Sequence, residues 1–312
     1  MTSMARGMVA TDRAGKGTTR RRGFEPGQSR KPGSQWLGAG RRHLGRLGLV
    51  IVMFCLLFPV YWLVQSSIST QLELFHTPAY FFPPHPSWDG FRDAWPVISG
   101  DLWHSAVIAL GTVVVTLFVA VTAGYGILLA RVRSSAALIR LLVLVGLVFP
   151  TIMFVIPLYS LLYRLHLLNT YPGLILADSL YSVPLGVLIL YTYMITIPHE
   201  LTEAANVDGA SAARALWSVV VPMARPAIAT TAIFAFLGSW GDFLFAETFT
   251  DNTNILPASI GIYNLVSNSA TDVVSWPEVM AGCLILAAPA LLAVLLAQRY
   301  IRTGISTGAV TG

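Results

Sequence analysis

Charged residues are scarce in this chain. Only 11% of its 312 residues are Asp, Glu, Lys or Arg, whereas 55% are hydrophobic and the mean hydropathy is +0.66. An ordinary soluble domain carries about 25% charged residues, so the composition excludes that class. It predicts instead a chain that crosses a membrane several times.

Cysteine is equally scarce, and the two cysteines, Cys55 and Cys283, both lie within apolar runs. Such positions provide neither a disulfide framework nor the ligand spacing of a metal site. The six histidines fall at or outside the predicted helix ends, and they form no His-x-x-x-His pair and no grouping with Ser and Asp. We therefore predict no catalytic residue and no metal site, which argues against an intramembrane enzyme.

The basic residues that are present are concentrated at one end. Residues 1–46 hold eleven of the twenty Lys and Arg and show almost no apolar periodicity. This composition predicts a disordered basic tail. In a membrane chain the charge bias indicates topology, and we expect no nucleic-acid partner.

Six apolar segments are long enough to cross a bilayer core about 30 Å thick, which requires about 20 helical residues. We predict an all-α membrane protein with helices at 47–66, 105–130, 138–163, 173–196, 226–247 and 277–298. If both termini are cytoplasmic, the cytoplasmic side holds eighteen Lys or Arg and the outer side only two. The positive-inside rule therefore predicts a multi-pass protein of the plasma or inner membrane with both termini in the cytoplasm.

The predicted helices divide the chain into four regions. Residues 1–46 form the tail, and 47–104 hold the first transmembrane helix and an outer loop. Residues 105–300 form a transmembrane domain of five helices, and 301–312 form a cytoplasmic C-terminal tail. The class predicted from composition and spacing alone is a helical bundle in contact with membrane lipid.

A polar stretch from Glu203 to Pro222 interrupts the apolar second half of the chain on its predicted cytoplasmic side. Glu200 and Glu203 lie near the start of a short predicted helix, where negative charge suits the helix dipole. Ala204-Ala205 keeps that helix slim. The first part of the stretch thus predicts a narrow helix with an acidic beginning.

The second part of the same stretch begins with a strong turn signal. Asp208-Gly209 favours a sharp bend because glycine tolerates positive φ, and Ser211 is suited to cap a second helix. That helix is apolar and ends at Pro222. The whole stretch predicts a compact helix-turn-helix that docks into a cytoplasmic partner.

This stretch resembles the EAA loop of importer-type ABC transporter permeases. The family pattern is Glu-Ala-Ala, three residues, Gly, nine residues and Ile-x-Leu-Pro. The chain carries it in register at Glu203, Ala204, Ala205, Gly209 and Pro222, with Val219 and Val221 replacing Ile and Leu. Asp208 and the residues after it resemble the sugar-importer branch, so the chain is identified as a maltose-type, carbohydrate-uptake permease of a binding-protein-dependent importer.

The resemblance implies a six-helix permease subunit that couples to ATP hydrolysis through an EAA loop at residues 200–222. A second permease and two ATP-binding subunits would be its partners, and an extracytoplasmic solute-binding protein would deliver a sugar or oligosaccharide. ATP and Mg would be bound by the partner ATPase, with no cofactor on this chain. Glu203 would supply a charged contact to the ATPase. Gly209 would allow the bend between the two helices of the loop, and the small side chains of Ala204-Ala205 would let the first helix fit into a cleft of the ATPase.

The outer loop 67–104 is rich in aromatic residues and proline. The aromatic side chains indicate one of two roles. They form a belt at the membrane interface, or they form a docking surface for the solute-binding protein.

Ionisable residues inside a membrane are costly and therefore indicate function. Asp242 lies in the outer half of the fifth predicted helix, between Trp240 and Phe243. The aromatic rings offer stacking faces, and the carboxyl accepts hydrogen bonds from sugar hydroxyls. The segment resembles the Trp-Asn-Glu/Asp-Phe signature of maltose-type permeases, with Gly241 in place of Asn. Trp240, Asp242 and Phe243 are therefore the candidate substrate pathway, and an anchor between helices is the alternative for Asp242.

Two other carboxylates, Asp178 and Glu247, are interpreted as interfacial groups that reach water. Other functions remain open for the whole chain. One is an ABC importer permease for glycerol phosphate or another polyol. Others, from different classes, are an ion-coupled secondary transporter or channel and a membrane-embedded interaction protein. Transport that follows an ion gradient and ignores ATP would distinguish the secondary transporter.

Overall fold

The computed structural model describes residues 34–129, 133–251, 253–267 and 274–308, and within these ranges the regular structure is helical. The α-helices in chain order are α1 Ser34–Ser67, α2 Gln71–Leu74, α3 Asp89–Leu129, α4 Arg133–Val148, α5 Val155–Arg164, α6 Tyr171–Met194, α7 His199–Val207, α8 Ala212–Ala215, α9 Val221–Met223, α10 Arg225–Trp240, α11 Leu244–Phe249, α12 Ala258–Ser267 and α13 Trp276–Gly308. Short 3-10 turns span Thr151–Phe154 and Thr253–Ile255, and a π-helical turn spans Leu216–Val220.

The chain divides into two parts after Leu56. The described portion of the first part, residues 34–56, is the beginning of α1. All other elements belong to the second part. The predicted tail boundary at residue 46 lies inside α1, and residues 1–33 of that tail lie outside the described ranges.

Four helices in the described ranges are long and apolar enough to cross a membrane. They are Arg46–Ser67, Asp89–Leu129, Tyr171–Met194 and Trp276–Gln298. The pair Ala212–Met223 and Arg225–Trp240 meets the same criterion together, with an 82° bend between its two helices. The chain thus has the several apolar helices expected of a multi-pass protein, while the count of six spans stays a prediction.

The third and fifth predicted spans are each interrupted. The helix predicted at 138–163 breaks after Val148, where Pro150 has extended backbone angles and begins a 3-10 turn. Proline has no backbone N–H to donate and disfavours a helical residue before it. The helix predicted at 226–247 ends at Trp240, and α11 starts again at Leu244.

The outer loop predicted at 67–104 is partly helical. α3 starts at Asp89 and continues without a break through the second predicted span. Its first turns are anchored because Ala94 and Ile98 pack in a buried cluster with Ala258 of α12 and Ala281 of α13. Sequence reasoning missed this extension because those contacts join residues far apart in the chain.

The segment before α3 is held by a capped turn. The Thr70 hydroxyl accepts a hydrogen bond from the Glu73 N–H, and the Glu73 carboxylate accepts one from the Thr70 N–H. Glu73 also pairs with the His85 ring at 3.0 Å. Burial raises the pKa of the Glu73 carboxyl, but the hydrogen bonds from Thr70 and His85 outweigh burial and hold it below its ordinary value.

The main core forms where α3, α6 and α10 cross. Buried side chains from the three helices, from the connection after α6 and from the π-helical turn before α9 pack together there: Ala120, Val121, Tyr125, Ile127, Val187, Leu190, Met194, Ile197, Leu216, Val220 and Ala227. Small residues allow the close approach, because Gly124 lies against the backbone of Tyr191 and Gly186 lies between α3 and α10. This core connects the polar stretch after α6 to α6 itself, which carries Asp178, and to α10, which is followed by Asp242.

Candidate functional site

The EAA loop folds as two helices joined by a sharp turn, as its sequence predicts. α7 ends in a Schellman motif, in which Ala210 N–H donates to the Ala205 carbonyl at 2.9 Å and Gly209 N–H to the Asn206 carbonyl at 3.0 Å. Gly209 adopts φ +80°, a left-handed conformation that L side chains rarely tolerate. The glycine is therefore required by the backbone of the bend.

The second helix of the loop is capped and anchored. The Ser211 hydroxyl accepts a hydrogen bond from the Arg214 N–H, as an N-cap does. Leu216 and Val220, which are 5% and 1% exposed, then enter the core beside Val187 and Leu190 of α6. These two side chains therefore anchor the loop in a buried cluster that α6 shares.

The π-helical turn Leu216–Val220 accommodates Pro222 near the end of this helix. Val221 N–H donates to the Leu216 carbonyl, five residues back, so the turn is wider than an α-helical one. Pro222 itself is exposed, and after Met223 the chain bends by 82° into α10. The loop thus ends at a sharp corner next to a span.

The opposite side of the loop faces outward. Glu203, Ala204, Asp208 and Gly209 are exposed and Ala205 is half-buried. Val207 is 87% exposed and Trp217 is 53% exposed. An apolar surface with a carboxylate beside it, fixed to the core from behind, has the chemistry of a docking surface.

Replacing Gly209 by alanine tests the bend by itself. Open space surrounds a Cβ at Gly209 and at Gly126 of α3, but only Gly209 has positive φ. We expect Gly209→Ala to destabilise the folded loop by about 1 kcal/mol, because alanine is strained at this backbone angle. Gly126→Ala is expected not to destabilise the fold. Hydrogen–deuterium exchange over residues 199–223 checks this, with exchange about fivefold faster in Gly209→Ala. Equal exchange in the two variants would contradict the assigned geometry.

A second candidate site is a cavity of about 290 Å³ near the junction of α6 and α10. Two carboxylates, three aromatic rings and two hydroxyls contribute to its lining, which consists of Thr151, Asp178, Tyr181, Gly238, Gly241, Asp242, Phe243, Leu244 and Phe245. The cavity therefore combines hydrogen-bond acceptors with aromatic faces.

Asp178 belongs to this cavity, which corrects its interpretation as an interfacial carboxylate. Its residue is only 5% exposed, and one carboxylate oxygen accepts a hydrogen bond from the Ser239 hydroxyl of α10. Ser239 also lies 3.3 Å from the Thr112 hydroxyl of α3. Sequence reasoning missed Asp178 because its neighbours lie 61 and 66 positions away along the chain, and the carboxylate at a membrane-helix position was the available signal. Glu247, by contrast, is exposed.

Asp242 lies in the connection that interrupts the fifth predicted span. Its Oδ2 accepts hydrogen bonds from the N–H groups of Phe245 at 3.1 Å and Ala246 at 3.0 Å, which starts α11. Its backbone carbonyl accepts a bond from the Ser259 hydroxyl at 2.6 Å. The side chain is thus fixed in place at the edge of the cavity.

The two aromatic residues beside Asp242 have different surroundings. Phe243 lines the cavity, is 40% exposed and meets Tyr263 edge-on, with ring centroids 5.3 Å apart. Trp240 is 5% exposed, and its ring N–H donates to the Leu286 carbonyl of α13 at 3.0 Å. Trp240 is absent from the cavity lining, so its position is that of a packing residue between α10 and α13.

The family model described as "binding-protein-dependent transport system inner membrane component" matches residues 122–307, more than half of the chain. The chain belongs to this family. It is therefore a membrane-embedded transport component, not an enzyme, and the predicted ABC importer permease class is confirmed. The match includes the EAA loop and both aspartates of the cavity.

Characterised relatives of the permease extend over most of its length. It is 31% identical to a trehalose transport system permease of Mycobacterium tuberculosis, covering 85% of this chain and 96% of the relative. It is 29% identical to a sulfoquinovosyl glycerol transport system permease of Agrobacterium fabrum, covering 82% and 89%. It is also 29% identical to a diacetylchitobiose uptake system permease of Streptomyces coelicolor, covering 83% and 86%.

A solved structure has the same fold. A chain of a bacterial ABC transporter involved in the import of the acidic polysaccharide alginate superimposes with a TM-score of 0.73 at 17% sequence identity. The superposition covers 87% of the permease and 98% of that chain. This likeness confirms the predicted all-α importer permease fold.

Proposed function

We propose that this permease forms part of the membrane pathway for a sugar or oligosaccharide in an ATP-driven importer. The relatives support the substrate class, since the names of the three described above each contain a carbohydrate or a glycoside. The cavity supports it too, because sugar hydroxyls donate hydrogen bonds to carboxylates and sugar rings stack on aromatic faces.

The observation that carries the proposal is the connection of the EAA loop to the helices of the cavity. Leu216 and Val220 of the loop pack against α6, which also carries Asp178. A partner that moves the exposed side of the loop would therefore displace α6 and α10 and reshape the cavity between them. Such coupling is mechanical, through elements that have two arrangements.

The partners follow from this role. Two ATP-binding subunits would contact the EAA loop on the cytoplasmic side and hold ATP and Mg, and a second permease would complete the pathway. Both termini would be cytoplasmic, in agreement with the eighteen Lys and Arg on that side. A solute-binding protein would dock on the outer face, where the segment held by Glu73 and His85 presents exposed aromatic rings such as Phe82, 76% exposed.

A phosphorylated polyol fits the cavity less well than a sugar. In the part of the chain that the structure describes, the lining contains two carboxylates and neither Lys nor Arg. A phosphate group is bound by cations or by several N–H donors, so the lining favours a sugar over glycerol phosphate.

Uptake by the reconstituted transporter tests the proposal. The complex purified from its native membrane is placed in liposomes with its solute-binding protein, and labelled maltose, trehalose and diacetylchitobiose are supplied with and without internal ATP. We expect ATP-dependent accumulation of one of them. Accumulation driven by an ion gradient without ATP would contradict the importer mechanism, and ATP-dependent uptake of glycerol phosphate alone would contradict the substrate class.

A further inference from the structure

We infer that Asp178 and Asp242 together form a specificity site that accepts a neutral sugar ring and rejects an anionic one. This inference rests on the proposed function, because it assigns a chemical class to the substrate of that pathway. Asp178 is the new residue in this site, because the sequence motif contains Asp242 but not Asp178.

Asp178 has a carboxylate oxygen available to a ligand. One oxygen accepts the Ser239 hydroxyl, and the other has no hydrogen-bond partner among the described residues. The residue is 5% exposed and lines the cavity. Among the described residues the fully buried side-chain atoms without a partner are Thr116 Oγ1 and Thr231 Oγ1, so this Asp178 oxygen is not sealed off and is open to a donor from a ligand in the cavity.

Asp242 offers a matching acceptor from the other side. The N–H groups of Phe245 and Ala246 donate to its Oδ2, and the Leu244 N–H also donates to the carboxylate. A carboxylate has about four acceptor positions, so one remains for a ligand. These bonds also fix the orientation of the carboxylate before a ligand arrives. Two preoriented acceptors in one cavity suit a molecule that presents several hydroxyl donors.

The remaining lining indicates why an anionic sugar is disfavoured. Tyr181 and Phe243 provide ring faces, and the hydroxyls of Thr151 and Tyr181 are the other polar side-chain groups. Among the described residues that line the cavity there is no Lys or Arg. The carboxylate of a uronic acid cannot donate a hydrogen bond to Asp178 or Asp242, and it would place a third carboxyl group beside two others.

The volume of the cavity limits how much of the substrate it holds. At about 290 Å³ it lies at the lower end of the range of ligand pockets, about 300 to 1,000 Å³. A single sugar ring of a longer molecule is the matching size. The site therefore binds one sugar ring of the substrate at a time.

A structural role for Asp178 makes a different prediction, because the carboxylate also joins α6 to α10 through Ser239. Asp178→Asn keeps the size of the side chain and an oxygen that can accept the Ser239 hydroxyl. Ser239→Ala removes the link between the helices and leaves the carboxylate. The two variants therefore separate recognition of a ligand from helix pairing.

The test is equilibrium binding to the whole transporter in nanodiscs, without the solute-binding protein. The probe is whichever of tritiated maltose, trehalose or diacetylchitobiose gives ATP-dependent uptake. We expect Asp178→Asn and Asp242→Asn each to weaken binding at least about tenfold. Ser239→Ala is expected to change binding less than threefold, and Glu247→Gln, at an exposed carboxylate, to leave it unchanged.

Competition measures the selectivity directly. Methyl glucoside and methyl glucuronide differ in one group, a hydroxymethyl in the first and a carboxylate in the second. We expect the glucoside to displace the probe at least about tenfold better from the wild-type transporter, and the preference to shrink in the double variant Asp178→Asn/Asp242→Asn.

The outcomes are distinct. Equal losses in Asp178→Asn and Ser239→Ala, equal competition by the two glycosides, or uptake without saturable binding would overturn the specificity site and leave the proposed function in place. A wild-type transporter that hydrolyses ATP with its binding protein but imports none of the three disaccharides would contradict the proposed substrate class, and the specificity site with it.

Discussion

Glu203→Lys is expected to reduce ATP-dependent uptake by at least about tenfold while the chain still folds and inserts. Glu203 is exposed on α7 and has no hydrogen bond or ion pair within the described residues. A charge reversal at such a position usually changes the free energy of unfolding by less than about 0.5 kcal/mol. A loss of transport must then arise from the partner, because a charge-assisted contact across an interface is replaced by repulsion.

The matched control for this variant is Glu247→Lys. It makes the same charge reversal at an exposed residue on the predicted outer side. The measurements are the amount of ATPase subunit that co-purifies with the tagged permease and the ATP-dependent uptake in liposomes. We expect both to fall in Glu203→Lys and the co-purified ATPase to be unchanged in Glu247→Lys. Normal uptake in Glu203→Lys would show that the EAA loop does not use this carboxylate.

Gly186→Leu is expected to lower the stability of the fold strongly. A Cβ built on Gly186 lies 2.9 Å from Thr231 Cγ2, 3.1 Å from Ala120 Cβ and 3.2 Å from Thr116 Cγ2. These atoms belong to α10 and α3, so the glycine lies where three helices cross. A leucine there must force the helices apart, at a cost of about 3 kcal/mol or more.

The same substitution at Gly126 provides the control, because nothing lies within 4 Å of a Cβ at that position on α3. We expect Gly186→Leu to lower the recovery of monodisperse protein and its temperature of half-denaturation, and to abolish uptake. Gly126→Leu is expected to behave like the wild type in both stability measurements. If the two variants were equally stable, the close packing of α3, α6 and α10 assigned to Gly186 would be wrong.

The sequence predicts the EAA loop in detail because its signals are local. The left-handed Gly209 and the Ser211 cap both act within four residues of their partners, so adjacent sequence contains the information. The apolar helices can be predicted equally well from the sequence, because their length and hydropathy identify them. The interruption at Pro150 was marked by the proline itself, although apolar residues on both sides suggested one continuous span.

The cavity was only partly predictable. Asp242 stands out because it follows Gly241 between aromatic residues, whereas Asp178 carries no such local pattern. The role proposed for Asp178 depends on Ser239 and Asp242, which come close to it only when α6 packs on α10. The same limitation explains Trp240, whose ring turns toward Leu286 of α13 and away from the cavity. Which side of a helix faces a cavity is decided by tertiary packing.

Purification of the tagged chain in a mild detergent from its native membrane, with quantitative mass spectrometry, tests the central claim most directly. We predict that an ATP-hydrolysing subunit and a second permease co-purify with the wild-type chain, and that the ATPase is lost from the Glu203→Lys variant. A chain that purifies alone and still moves sugar into liposomes without ATP would contradict the account.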